Sequence, residues 1–136
     1  MEQERTAVTR LMTPEVLTVT TDASVEEAAK TLLAEDIGSL VVVDETGRPV
    51  GMFTTTDLAE FVSDSGTPGD TTVSQYMTNR VVSIGTHDSI RDAAAKMIRH
   101  GIHHLPVTDE QGSVAGMLST MDLTSHFSYT GGTDMI

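Results

Sequence analysis

Apolar positions along the chain fall into two series that superpose at a fixed spacing of 65 residues. In the first, Val25, Ala28, Ala29, Leu32 and Leu33 recur at helical intervals; in the second, Ile90, Ala93, Ala94, Met97 and Ile98 repeat the stripe. Ser24 with Glu27 three residues on forms a capping box at the start of the first stripe, and Ser89 is its counterpart. Each stripe is followed by a continuous apolar run, residues 40–43 and 105–107, which predicts a buried strand. An acidic turn with glycine comes next, Asp44-Glu45-Thr46-Gly47 or Asp109-Glu110-Gln111-Gly112, and a return strand starts near Pro49 or Val114. A short strand over residues 16–19 precedes the first helix, and second helices are expected over 58–62 and 123–127. Each half therefore reads β-α-β-β-α.

The fold expected is α/β in content, of the α+β type: two β-α-β-β-α repeats packed about a pseudo-two-fold axis, with two related clefts between the copies. With 136 residues the chain can bury one modest core, which favours two fused half-domains over two independent ones. The repeats are bounded at residues 7–62 and 73–127. The Gly/Pro/Ser/Thr-rich stretch 63–72 reads as the linker, and 128–136, without periodicity, as a loose tail. Alanines in the middle of each helical stripe permit close approach of another element, so these helices belong to the core.

Composition narrows the function. Twenty acids against eight bases give a net charge of -12, so nucleic-acid binding is not expected, because a phosphate backbone needs a basic face. Two lysines beside six arginines, with abundant acids and threonines, suit a chain kept hydrated at high ionic strength, and a salt-adapted source is expected. The acidic N-terminus and the lack of any apolar run near the roughly 20 residues that span a bilayer predict a soluble, cytoplasmic protein with no membrane partner. There is no cysteine, hence no disulfide, thiolate-bound zinc or thiol catalysis.

The best-matched segment of the two copies closes each hairpin. Residues 51–58, Gly-Met-Phe-Thr-Thr-Thr-Asp-Leu, lie over residues 116–123, Gly-Met-Leu-Ser-Thr-Met-Asp-Leu. Thr54-x-x-Asp57 and Ser119-x-x-Asp122 thus fall where a strand gives way to a helix. Free backbone N–H groups and the positive end of the helix dipole favour an anion there. A carboxylate at that place can accept two hydrogen bonds from the vicinal hydroxyls of a ribose. The same residues are also suited to plain helix caps.

The Met-Thr before each first strand, the doubled Gly-apolar-apolar-Thr/Ser-x-x-Asp signature and the run Ile102-His103-His104-Leu105-Pro106-Val107 together resemble a tandem pair of CBS domains, the Bateman module. The resemblance covers residues 7–127. It implies a regulatory module that binds an adenine nucleotide (AMP, ADP or ATP) or S-adenosylmethionine, with no cofactor required. It implies Asp57 and Asp122 on ribose, and Thr54, Thr56 and Ser119 toward phosphate or ribose. Val16-Leu17-Thr18 and Val81-Val82-Ser83 would read the adenine edge and sandwich the ring, although plain core strand is equally compatible with them. His103 or His104, just before Leu105-Pro106-Val107, would contact phosphate. Here the first copy departs from the pattern, having Gly38-Ser39-Leu40 without cation or proline.

Metal binding by His103 and His104 is not expected, since neighbours on a strand point to opposite faces and no acid cluster completes a site. Nor does the sequence carry a P-loop, a Gly-x-Gly-x-x-Gly run or a nucleophile elbow, so the chain is read as a non-enzyme. A homodimer is expected, through a flat apolar face built from the second helices (Leu58, Phe61, Val62; Leu123, Phe127) with the first-helix stripes, together with a regulated partner that the sequence does not name. The alternative is a ligand-independent dimerisation or scaffold module. If the clefts take acid and cation from opposite repeats, as the resemblance implies, Asp57 pairs with His103/His104 while Asp122 faces Gly38/Ser39, and the Asp57 cleft is the tighter phosphate site.

Overall fold

The computed structural model describes residues 5–131. Its elements are β1 (Thr13–Pro14), β2 (Thr18–Thr20), α1 (Val25–Glu35), β3 (Ser39–Val43), β4 (Pro49–Thr54), α2 (Thr55–Ser63), β5 (Ile84–Gly85), α3 (Ile90–His100), β6 (His104–Thr108), β7 (Val114–Ser119) and α4 (Thr120–Gly131). Short 3-10 turns at Val8–Arg10 and Val73–Gln75 open the two copies. The doubled β-α-β-β-α order is present, as the periodicity predicts.

The compact units are built otherwise than the repeats. One, called here the central unit, is the continuous segment 16–81; the other, the split unit, joins residues 1–15 to 82–136. Each copy's lead segment thus belongs with the body of the other copy. In the split unit the sheet runs β1-β7-β6-β5, with β1 antiparallel to β7 through Thr13 opposite Met117 and Pro14 opposite Gly116. In the central unit it runs β2-β3-β4, and Thr78 makes the corresponding bridge to Met52. Two glycines permit these crossings: a Cβ at Gly116 would stand 2.5 Å from Met12 Sδ and 2.8 Å from the Thr13 carbonyl oxygen, and one at Gly51 would stand 2.5 Å from Met77 Sδ. The Met-Thr pair and the glycine of the closing signature are thus two halves of one contact.

Each unit has its own apolar core. Val25, Ala28, Leu32, Leu40, Val42, Phe53, Phe61 and Val73 form that of the central unit; Val8, Ile84, Ile90, Ala93, Met97, Leu105, Val107, Leu118 and Leu123 that of the split unit. The predicted stripes are narrower than expected. Leu33 and Ile98, equivalent residues, are 82% and 83% exposed, because they stand beside the buried line set by Val25-Ala28-Leu32 and Ile90-Ala93-Met97. Val62 on α2 and Phe127 on α4 are equivalent and exposed as well.

Several boundaries shift for identifiable reasons. Ser24 and Ser89 accept hydrogen bonds from the backbone N–H of Glu27 and Asp92, so the predicted caps open α1 and α3. The second helices begin three residues earlier than the apolar pattern indicated, because Thr54 and the polar Thr55-Thr56 already lie at the cap and in the first turn. Helix α4 continues through Gly131, past the expected start of a loose tail; residues 132–136 lie outside the described ones. The turn acids work locally. Asp44 Oδ1 accepts from the Thr46 hydroxyl and from the N–H groups of Thr46 and Arg48, which hold its carboxyl below its usual range; Asp109 Oδ1 accepts from the N–H groups of Gln111 and Ser113. The glycines that follow, Gly47 and Gly112, have φ of 86° and 85°, conformations that a side chain would strain.

Candidate functional site

The two signatures fold into the same local device. At the start of α2, Asp57 Oδ2 accepts from the Thr54 N–H at 2.8 Å and from its hydroxyl at 3.1 Å, while the Asp57 N–H donates to Thr54 Oγ1 at 3.3 Å. At the start of α4, Asp122 Oδ2 accepts from the Ser119 N–H at 2.8 Å and the Asp122 N–H donates to Ser119 Oγ at 3.1 Å. The capping role is therefore real. It uses one carboxylate oxygen in each case; among the described residues Oδ1 of Asp57 and of Asp122 makes no hydrogen bond and remains able to accept one. Asp57 is buried at 7% exposure, and Asp122 is half-buried.

Fewer backbone donors remain at these helix ends than the sequence suggested. Thr55 N–H donates to the Gly38 carbonyl at 3.1 Å and Thr120 N–H to that of His103 at 3.0 Å, closing β3 and β6 onto the signatures. With Asp57 and Asp122 N–H also engaged, the N–H of Thr56 and of Met121 are the first-turn donors without a partner among the described residues. Thr56 is exposed and Thr54 and Ser119 are half-buried.

The remaining predicted positions are distributed as follows. Val16 and Leu17 lie ahead of β2, not within a strand over 16–19, and Leu17 is 39% exposed. Val81, Val82 and Ser83 likewise precede β5 as irregular, half-buried backbone, so the plain core-strand reading of both segments is corrected: only Thr18 is in a strand. Ser83 is held by its carbonyl oxygen, which accepts from Lys96 Nζ at 2.7 Å. His103 and His104 are exposed; His104 opens β6 opposite Ser119, just as Ser39 opens β3 opposite Thr54. Pro106 is buried opposite Met117, in the strand interior. Among the described residues no group of histidines and carboxylates has the disposition of a metal site.

The repeat comparison did not single out a cavity of about 390 Å³ in the split unit, lined by Thr6, Arg10 and Leu11 from the N-terminal segment and Asp122, Ser125 and His126 from α4. Asp122, Ser125 and His126 share a helix face at i, i+3 and i+4. That spacing was readable, but the approach of Thr6 and Arg10 was not, since it depends on the exchange of lead segments.

The family model of the CBS domain matches residues 8–64 and again 73–129. The chain belongs to the CBS-domain family, as a tandem pair. It is 34% identical over 112 residues to the CBS domain-containing protein YhcV of Bacillus subtilis, covering 82% of this chain and 79% of that one. It is 35% identical over 115 residues to homoserine O-acetyltransferase of Methanocorpusculum labreanum, where it covers 84% of this chain but only 23% of the enzyme. Among solved structures, the CBS domain pair of protein MJ0100, in complex with 5′-methylthioadenosine and S-adenosyl-L-methionine, superposes with a TM-score of 0.79 at 29% identity, covering 90% of this chain and 99% of that one. The fold is thus that of CBS domain pairs. Among the described residues no helix is long and apolar enough to cross a membrane.

Proposed function

We propose that this CBS pair binds adenosine-containing ligands at its two signatures and passes the resulting conformational bias to a partner protein, with no catalytic step of its own. The observation that carries this reading is the divided use of each aspartate: one oxygen fixes the carboxylate against the helix cap, and the other is left to accept from a ribose hydroxyl. The methylthioadenosine and S-adenosylmethionine bound by the MJ0100 pair support the ligand class. Around the carboxylates, Thr54, Thr56 and Ser119 offer hydroxyls, Val16-Leu17-Thr18 and Val81-Val82-Ser83 offer backbone and apolar side chains to a base, and His103 and His104 offer exposed imidazoles to phosphate.

Phe61 and Leu123, expected on the dimer face, are buried in the cores, whereas Val62, Met121 and Phe127 are left exposed on α2 and α4; a second copy of the chain fits these, so the regulator acts as a homodimer. Dimerisation without any ligand is the competing reading.

Thermal melting with AMP, ADP, ATP, S-adenosylmethionine and adenosine separates the two. A ligand at 100 times its Kd adds about 2.7 kcal/mol to stability. Calorimetry then tests the site: Asp57→Asn and Asp122→Asn should each weaken binding by about 1–3 kcal/mol, the loss of a charged acceptor. No ligand-dependent shift with any member of the panel would leave the dimerisation module as the function.

A further inference from the structure

The two aspartates stand in different surroundings. Beside Asp122 the cavity is bounded by Thr6, Arg10, Leu11, Ser125 and His126; the equivalent residues around Asp57 are Thr71, Gln75, Tyr76, Glu60 and Phe61. In the central unit two rings occupy this place. Phe61 is buried and meets Tyr76 edge-on, with ring centroids 5.5 Å apart, and the Tyr76 hydroxyl donates to Asp64 at 2.6 Å. In the split unit the rings are replaced by an aliphatic side chain and an imidazole, the acid Glu60 by a serine, and the amide Gln75 by a guanidinium. The changes leave one ring where the central unit has two and exchange the sign of the charge.

Arg10 and Asp122 line this cavity together, yet no ion pair joins them, and among the described residues Arg10 has no carboxylate partner. A cation and an acceptor facing the same space without neutralising each other are matched to a ligand that brings hydroxyl donors at one end and an anion at the other. The hydroxyls of Thr6 and Ser125 line the same wall, and such groups donate readily to anionic oxygens. We propose that this cavity is an anion subsite of the Asp122 signature: Arg10 holds the negatively charged group carried beyond the ribose of the ligand, a phosphate or a carboxylate, while Asp122 takes the ribose hydroxyls. This rests on the adenosyl reading above and adds to it a discrimination by charge made by the split unit's own lead segment.

The test compares ligands with and without the anion on the complete chain. Calorimetry with AMP, S-adenosylmethionine and adenosine is carried out on Asp57→Asn, in which the Asp57 signature is weakened and the Asp122 signature is the tighter one, and then on the same protein with Arg10→Gln added. Arg10 is exposed, so the substitution leaves the core intact. The expected result is a loss of roughly tenfold or more for AMP, for S-adenosylmethionine or for both, with adenosine unchanged. A loss for AMP alone assigns the subsite to phosphate, and a loss for S-adenosylmethionine alone assigns it to carboxylate. A second variant, Leu11→Tyr with His126→Phe, copies the ring pair of the central unit into the cavity and should remove the preference for charged ligands while leaving the melting temperature at or above that of the parent. Equal affinities for all three ligands before and after Arg10→Gln would overturn the subsite while leaving the adenosyl reading in place. Binding of none of the three to the unmodified chain would overturn both.

Discussion

The central and split units are built from the same elements, with the same helix caps and the same glycine-methionine crossing, yet they differ in charge and in how they are filled. The central unit holds eleven acids, three bases and no histidine; the split unit holds nine acids, five bases and all five histidines. The first sets Phe61 and Tyr76 edge-on at the positions equivalent to His126 and Leu11, and hydrogen bonding to Asp64 raises the pKa of the Tyr76 hydroxyl above its ordinary value. The second leaves a cavity there. One frame thus carries a ring pair and the other a cavity at equivalent positions.

Truncating the ring that differs most should have the largest effect. Phe61 is 4% exposed in the central core, so Phe61→Ala should cost about 3–5 kcal/mol in chemical denaturation. His126→Ala, at the equivalent but half-buried position beside a cavity, should cost no more than about 1 kcal/mol, typical of a site away from a packed core. Similar losses at both positions would mean that the two frames are equally packed.

The crossing glycines sharpen the comparison at intermediate magnitude. A methyl at Gly116 meets the Thr13 carbonyl oxygen at 2.8 Å, a backbone atom that cannot step aside, whereas at Gly51 the nearest backbone atom, Thr78 O, is 3.0 Å away. Gly116→Ala should therefore lose about 1–3 kcal/mol and Gly51→Ala less, the Met77 side chain giving way. Urea midpoints of the two variants, compared with the parent, decide the order.

The smallest effect expected is that of salt. Repulsion among the acids is screened as the Debye length falls from about 10 Å at 0.1 M to about 3 Å at 1 M, so the melting temperature should rise with KCl. Hydrogen exchange should register the gain more strongly over residues 16–81, where eleven acids face three bases, than over 82–127. A melting temperature that is flat to molar KCl would remove salt adaptation from the account.

The sequence was sufficient for the elements because their signals are local. The capping serines, the Asp-x-x-Gly turns and the apolar runs at 40–43 and 105–107 each act within a few residues, and each appears where it was read. The signature aspartates were also found, with both of their readings, cap and acceptor, compatible in one geometry. Two things could not be read. A repeat pattern is indifferent to which body a lead segment joins, so the exchange of residues 7–12 and 72–77 was invisible, and with it the cavity that brings Arg10 to Asp122. Nor can helical spacing separate Leu33 from Leu32, since neighbouring positions differ by only 100° around the axis and the buried arc is set by the sheet beneath.

The exchange of lead segments also fixes an order of assembly on the ribosome. The central unit is contiguous and has its full set of partners once residue 81 has emerged. Residues 5–15 must wait for β7, whose register with Thr13 and Pro14 requires residues 116 and 117. Until then Val8, fully buried in the finished protein, and Met12 have no core to enter. This lead segment, made about a hundred residues before the strand it joins, is therefore among the last parts of the split unit to be protected. At a synthesis rate of about 5–20 residues per second this leaves an apolar segment exposed for several seconds, an interval in which a chaperone or a protease can act on every new molecule.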